Sequence, residues 1–254
     1  MSLYAIKDCA NLSLFDLATD KPFLYTDYAN VSTNEWSAER TYATAKGTNA
    51  IAWDSNKQST LLVETEIFDL KWLALLAGTE LKKESKGIAR REVLQANTNV
   101  LTIAGTPIAN SVQVVKVSEQ DLIEHDGEAL EHVATAVGVT AGQCHVAGNV
   151  ITLASTVQDG ESYAVYYLVE TADVKVLTIS ADKFPKAYRV IADAIMREKE
   201  TGKDEFVQIE YFNARPKSDF TITMSASEPT ALSVTFDLFP NKDKAMAEYR
   251  VMAE

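Results

Sequence analysis

Three histidines and a cysteine lie close together in the chain, His125, His132 and the adjacent Cys144 and His145. Imidazole and thiolate are the side chains that hold zinc. Their spacing speaks against a metal centre. Zinc sites use His pairs four apart on a helix or closely paired cysteines, and neighbours such as Cys144 and His145 point to opposite faces of a strand. They read as solvated or partly buried side chains. Gly202-Lys203 has the ending of a phosphate-cradling loop, but Arg197 stands where the first glycine is required and Asp204 where Ser or Thr must follow. That segment reads as a hairpin turn. The chain contains no GxSxG, HExxH or GxGxxG. Glu64 and Glu66 share one face of a strand, yet nothing nearby sets their environment, so they read as solvated and not as a general acid/base pair. No catalytic, cofactor-binding or metal-ligating residue is assigned, and the expectation is a protein that is not an enzyme.

The one basic cluster is Lys82, Lys83, Lys86 and Arg90-Arg91, in a chain with 24 basic and 36 acidic side chains and a net charge of −12. Such a charge argues against a dedicated nucleic-acid binder, which needs clustered Lys and Arg for phosphate contacts. A basic segment here fits phosphate or, better, acidic surface on an adjacent copy, because copies this acidic need compensating contacts in order to stack.

These groups must be positioned by elements, and 254 residues with 46% hydrophobic content suffice for a substantial core. No apolar run is long enough to span a bilayer, and the expectation is no membrane association. Lys7 and Asp8 interrupt what would have to be a signal peptide's apolar region, so export is not expected. Cys9 and Cys144 accordingly read as reduced thiols.

Short apolar-polar alternation bounded by turn residues dominates and reads as strands. It is cleanest at 206–211, 220–224 and 232–238, a meander with one buried and one polar face. Further strands are expected at 60–68, 100–103, 112–117, 150–153, 163–169 and 174–179, and residues 188–197 read as strand in preference to helix. Asp69 as N-cap and Gly78 as terminator bracket one helix, Leu70–Ala77, apolar on almost every side. A second short helix is expected at 128–137. Residues 27–57 have few aliphatic anchors and read as a long connecting segment carrying Trp36, Tyr42 and Trp53.

The order strand, buried short helix, glycine, then terminal meander resembles the major tail tube proteins of tailed bacteriophages. The resemblance rests on VETEIFDLKWLALLAG at 63–78, ADKFPKAY at 181–188, TGKD at 201–204, the stretch from Gln208 to Ser225, and LSVTFDL at 232–238. It implies a mainly β fold, a sandwich or barrel with one short flanking helix, formed by residues 1–92 and 176–254. Residues 93–175 form an inserted or elaborated β-rich region. It further implies a structural virion protein, made in the host bacterial cytoplasm, whose hexameric rings stack into a hollow tail tube. DNA passes through without specific binding, and sheath, baseplate and tape-measure proteins are the implied partners. On this reading Leu70, Trp72, Leu73, Leu75 and Leu76 with Trp36, Tyr42 and Trp53 are subunit-interface candidates, and residues 27–57 are expected between adjacent rings. Gln208, Glu210, Thr221, Thr223, Ser225, Ser233, Thr235 and Asp237 are candidates for the bore. The competing classes are a β-barrel binding a small ligand or carbohydrate, lined by Trp36, Trp53 and Tyr163 to Tyr167, and another virion component such as a capsid decoration protein.

Overall fold

Strict alternation needs one face in a core and one outside it, and Leu232, Val234, Phe236 and Leu238 are all buried while Ser233, Thr235 and Asp237 are not. The same rule organises a computed structural model that describes residues 3–6, 8–119 and 121–252. The chain forms two compact units, residues 1–81 with 177–254, and residues 82–176. The first contributes β1 (Tyr4–Ile6), β2 (Asn11–Asp16), β3 (Pro22–Thr26), β4 (Val31–Ala45), β5 (Thr48–Thr65) and α1 (Leu70–Ala77). The second holds β6 (Lys82–Gln95), β7 (Val100–Thr102), β8 (Gln113–Val117), β9 (His125–Ala129), β10 (Glu131–His132), β11 (Gln143–Ala147), β12 (Val150–Leu153) and β13 (Ser162–Val176). The chain then returns to the first unit with β14 (Tyr188–Glu198), β15 (Asp204–Pro216), β16 (Leu232–Leu238) and β17 (Ala247–Met252).

The first unit is one nine-stranded sheet in the order β3-β2-β14-β15-β16-β5-β4, with β1 also on β14 and β17 also on β15. The β14–β15 hairpin is its spine. Residues 188–193 pair with β2, and 196–198 of the same strand pair with β1. Residues 214–216 of β15 pair with β16, while 206–211 pair with β17. A bulge at Phe212 and Asn213 separates those two stretches and keeps Tyr211 and Ala214 both facing the core. Helix α1 covers that core. Trp72, Leu75 and Leu76 cluster there with Leu12, Leu14, Val63, Val190, Tyr211 and Phe236. The helix begins where Asp69 accepts a hydrogen bond from the Lys71 N–H at 3.0 Å and stops at Gly78, whose φ of 61° is left-handed. A Cβ at Gly78 would stand 2.1 Å from the Phe184 carbonyl oxygen, so only glycine fits.

The second unit holds two four-stranded sheets, β10-β11-β12-β7 and β6-β13-β8-β9. Leu101, Val114, Cys144, Ile151, Leu153, Tyr163, Val165 and Tyr167 fill it from both sides. β6 pairs with β13 from Gln95↔Ser162 to Lys82↔Val176. It therefore belongs with the middle region, and the boundary lies at Lys82 and not at residue 93.

Mainly β architecture with one short helix is as expected, but the sheets are open and none closes into a barrel. Four elements differ from expectation. Residues 27–57 are not a connecting segment, since most of them form the β4–β5 hairpin. Residues 220–224 alternate but lie outside regular structure, because no neighbouring strand pairs with them. The helix expected at 128–137 is replaced by β9, the two-residue β10 and irregular chain. The strands expected at 163–169 and 174–179 run together as β13, through an irregularity between Thr171 and Val174.

Candidate assembly surfaces

The interface candidates on α1 divide by burial. Trp72, Leu75 and Leu76 are enclosed in the core of their own unit and offer nothing to a neighbour. The reason is geometric: α1 is the cover of an open sheet, so its inward face is consumed there. Leu73 is half-buried against the same core, and Leu70 alone is exposed.

Trp36, Tyr42 and Trp53 stand on an arm. β5 alternates between buried and half-buried from Ser59 to Thr65, where it lies between β16 and β4, but every residue from Thr48 to Gln58 is exposed. Beyond Ser59 the hairpin has no sheet partner among the described strands except itself. At about 3.3 Å per residue this distal part reaches roughly 35 Å. Its side chains are not those of an ordinary solvated loop. Trp36 is 38% exposed, Tyr42 47%, Ile51 54% and Trp53 55%. Cross-strand pairing puts Thr41 opposite Trp53 and Ala43 opposite Ile51, so Trp53 and Ile51 share one face and Tyr42 lies on the other. The arm is held in register by Arg40, whose guanidinium donates two bonds to Asp54 at 2.5 and 3.0 Å and holds that carboxyl below its ordinary pKa. At its base Trp36 Nε1 donates to Asn34 Oδ1 at 2.6 Å, and Lys57 lies 5.2 Å above the indole.

The bore candidates divide as well. Gln208, Glu210, Ser233, Thr235 and Asp237 do lie on one continuous face of the large sheet, the face opposite the core. Thr221, Thr223 and Ser225 are exposed in the irregular segment 217–231 instead. The shared face is not a bare acidic surface, since β14 and β17 bring arginines to it. Glu210 is only 7% exposed, clamped by Arg189 at 3.1 Å and Arg250 at 2.5 Å. Arg250 also holds Glu248 at 2.9 Å, and Arg189 reaches Asp20 at 2.7 Å. Gln208 donates to Asp193 at 3.0 Å, and Arg197 pairs with Asp204 at 2.6 Å beside the hairpin turn. The guanidinium of Arg197 depresses the Asp204 pKa, as that of Arg250 depresses the pKa of Glu248. Asp237 has Lys217 at 3.6 Å. Nothing in the spacing of β15 revealed these arginines; they arrive from strands whose pairing had to be known.

The remaining chemistry-bearing residues do not gather around one centre. Cys144 is in the core of the second unit, and burial pushes its thiol up to about 11. His145 hydrogen-bonds the Val133 carbonyl through Nδ1 at 3.0 Å and lines, with His132, an open groove of about 630 Å3. His125 faces the Tyr166 hydroxyl at 2.9 Å. Tyr163 and Tyr167 are buried between the sheets, and Tyr163 forms part of the wall of an open pocket of about 290 Å3 beside Lys116 and Glu161.

Comparison with known families matches residues 4–252 to the YomU/Tube protein family. No curated protein matches the chain.

Proposed function

Because the chain belongs to the YomU/Tube protein family, we propose that it is a structural virion protein whose copies assemble into stacked rings, forming the tube through which phage DNA leaves. The observation that carries this reading is the β4–β5 arm. An isolated two-stranded hairpin is marginal in water at best, and one that exposes Trp36, Tyr42, Ile51 and Trp53 on its two faces needs a surface to cover them. A neighbouring ring supplies that surface. Burial of a large apolar side chain contributes about 1.5–3 kcal/mol, so four such residues drive stacking at modest concentration.

The polar face of the large sheet suits an aqueous conduit. Arg189, Arg197 and Arg250 are each engaged by carboxylates of the same chain and Arg215 stacks on Phe239, which limits capture of phosphate by counterion release. Ser233 and Thr235 add neutral polar groups beside them. DNA then passes without specific binding. Hexameric rings and contacts to sheath, baseplate and tape-measure proteins complete the proposal.

Negative-stain images of the concentrated purified chain test it. Rings or short tubes are expected. A chain that remains monomeric at every concentration, by sedimentation as well as by imaging, refutes assembly.

A further inference from the structure

The sheet β6-β13-β8-β9 of the second unit ends in two strands of opposite charge. β6 is one edge, and it carries Lys82, Lys83, Lys86, Arg90 and Arg91 against only Glu84 and Glu92. β9 is the other edge. With its flanks it carries Glu119, Asp121, Glu124, Asp126, Glu128 and Glu131, and no Lys or Arg occurs anywhere from residue 117 to 174. β8 and β9 lie beside the Arg91–Leu94 end of β6, three strand spacings of about 4.8 Å or roughly 14 Å across. Lys82 and Lys83 stand further along the same edge strand, so one small sheet has a basic edge and an acidic edge.

Both rims face solvent, with Glu131 accepting from the Gln143 amide at 3.3 Å, Asp121 from the Ile123 N–H at 3.1 Å, and Asp126 and Glu119 in the field of Lys116. Lys82, Lys83 and Arg90 are exposed, as are all six carboxylates of the acidic rim. Among the described residues none of these nine takes part in an ion pair of its own chain. Arg91 is excluded from this set, because it donates to the Tyr166 hydroxyl at 3.0 Å and to the Leu122 carbonyl at 2.8 Å. Beside the acids, Ile123 is 76% exposed, an apolar side chain in the middle of the charged rim.

We infer that neighbouring copies dock side by side through these rims, the basic β6 edge of one copy against the acidic 119–131 segment of the next. The occupant is a second copy of this chain because each unit presents both complementary halves, on opposite edges of one sheet. A contact of that kind is heterologous, and its repetition closes rings, which isologous pairing cannot do beyond a dimer. It joins by side chains and not by a continuous backbone ladder. Between Val115↔Ala129 and Val117↔His125 the β9 edge bulges, with Gly127 at φ 115°, and such a bulge blocks strand addition. The rims also offset the repulsion between copies of net charge −12. The inference rests on the ring reading and specifies which charges hold neighbours within a ring.

Charge reversal tests it. The triple variant Lys82→Glu, Lys83→Glu, Arg90→Glu leaves both rims acidic; the double variant Asp126→Lys, Glu128→Lys makes the acidic rim basic. Each alone is expected to raise the concentration needed for assembly by about tenfold at low ionic strength. Mixed in equal amounts the two should assemble again, since acidic rims then meet basic ones. In the unaltered protein, a carbodiimide that joins carboxylate to amine without a spacer should link Lys82 or Lys83 to Asp126 or Glu128 of another copy, as mapped by mass spectrometry. Loss of these links above about 0.5 M salt is expected, where the screening length falls toward 3 Å. Wild-type rings together with variants that assemble equally well, separately as in mixture, overturn the rim contact while leaving the ring reading intact. A monomeric wild type overturns both.

Discussion

Glu210 shows how much a single residue's meaning depends on strands far from it in sequence. Along β15 it alternates with Tyr211 and reads as a solvent-facing acid. The sheet instead buries it between Arg189 and Arg250. Removing one member of a buried ion pair leaves the others uncompensated, and Glu210→Lys sets a third cation against two arginines. We expect that change to destabilise the first unit by about 3 kcal/mol or more in urea denaturation, so it reports on folding. Asp237→Lys, at a more exposed site with Lys217 at 3.6 Å and Arg215 opposite it on β15, should leave stability within about 1 kcal/mol and is the better probe of DNA passage in reconstituted particles. The two thiols also differ. Cys9 is half-buried and Cys144 fully enclosed, so a thiol reagent at neutral pH should label Cys9 quickly and Cys144 only on unfolding. The sign of the pH effect follows from burial. An acid whose folded pKa is raised stabilises fully below its unfolded value of about 8.5, and that contribution is lost as pH rises through about 11 for Cys144. Tyr163, pushed up to about 12 by burial, extends the same trend. Alkaline unfolding of the second unit above about pH 9, followed by circular dichroism, should be delayed by Cys144→Ala if the small cavity is tolerated.

At the scale of elements, legibility followed burial. Residues 232–238 and 60–65 were readable because one face of each strand is in the core, and α1 because Asp69 and Gly78 mark its ends. The distal arm was not readable. Periodicity in sequence records a difference between two faces, and where both faces are exposed no difference exists to record. Its Trp36, Tyr42 and Trp53 read as side chains carried on a long connecting segment. Residues 220–224 err in the opposite direction: Phe220, Ile222 and Met224 alternate perfectly with threonines, but alternation without a hydrogen-bonding neighbour makes no strand. The interface candidates on α1 divide for a related reason. Sequence shows that a helix is apolar all round, and cannot show whether its own sheet or a neighbour's covers it. Replacing residues 38–57 by a two-residue type I′ turn between the paired Ser37 and Gln58 should leave the first unit's melting temperature nearly unchanged, since that stretch contributes nothing to the core. Stacking should be lost in electron micrographs. Protease should cut the arm in free subunits and spare it in tubes.

For the whole molecule, composition and order sufficed for class and family resemblance, while the division into units needed pairing. β6 looked continuous with what precedes it because it follows α1 closely, yet it bonds throughout to β13, nearly the whole unit away in sequence. Long-range pairing of that kind leaves no local mark. The charge balance was similarly opaque. A total of −12 is plain from counting, but its separation into basic and acidic rims depends on the strand order of one sheet.

That Lys82 and Val176 face each other as paired residues has a consequence for inheritance. The two points where the chain enters and leaves the middle region are about 5 Å apart, as opposed residues on antiparallel strands are. DNA encoding the whole region can then be lost, gained or exchanged in one recombination event, with a short turn sufficient to rejoin the remaining ends. Excising 82–176 and bridging the gap with Gly-Ser-Gly should yield a soluble product whose tryptophan fluorescence reports Trp72 still shielded from water. A product that aggregates, or exposes that indole, would show the middle region to be a condition of folding and no exchangeable cassette.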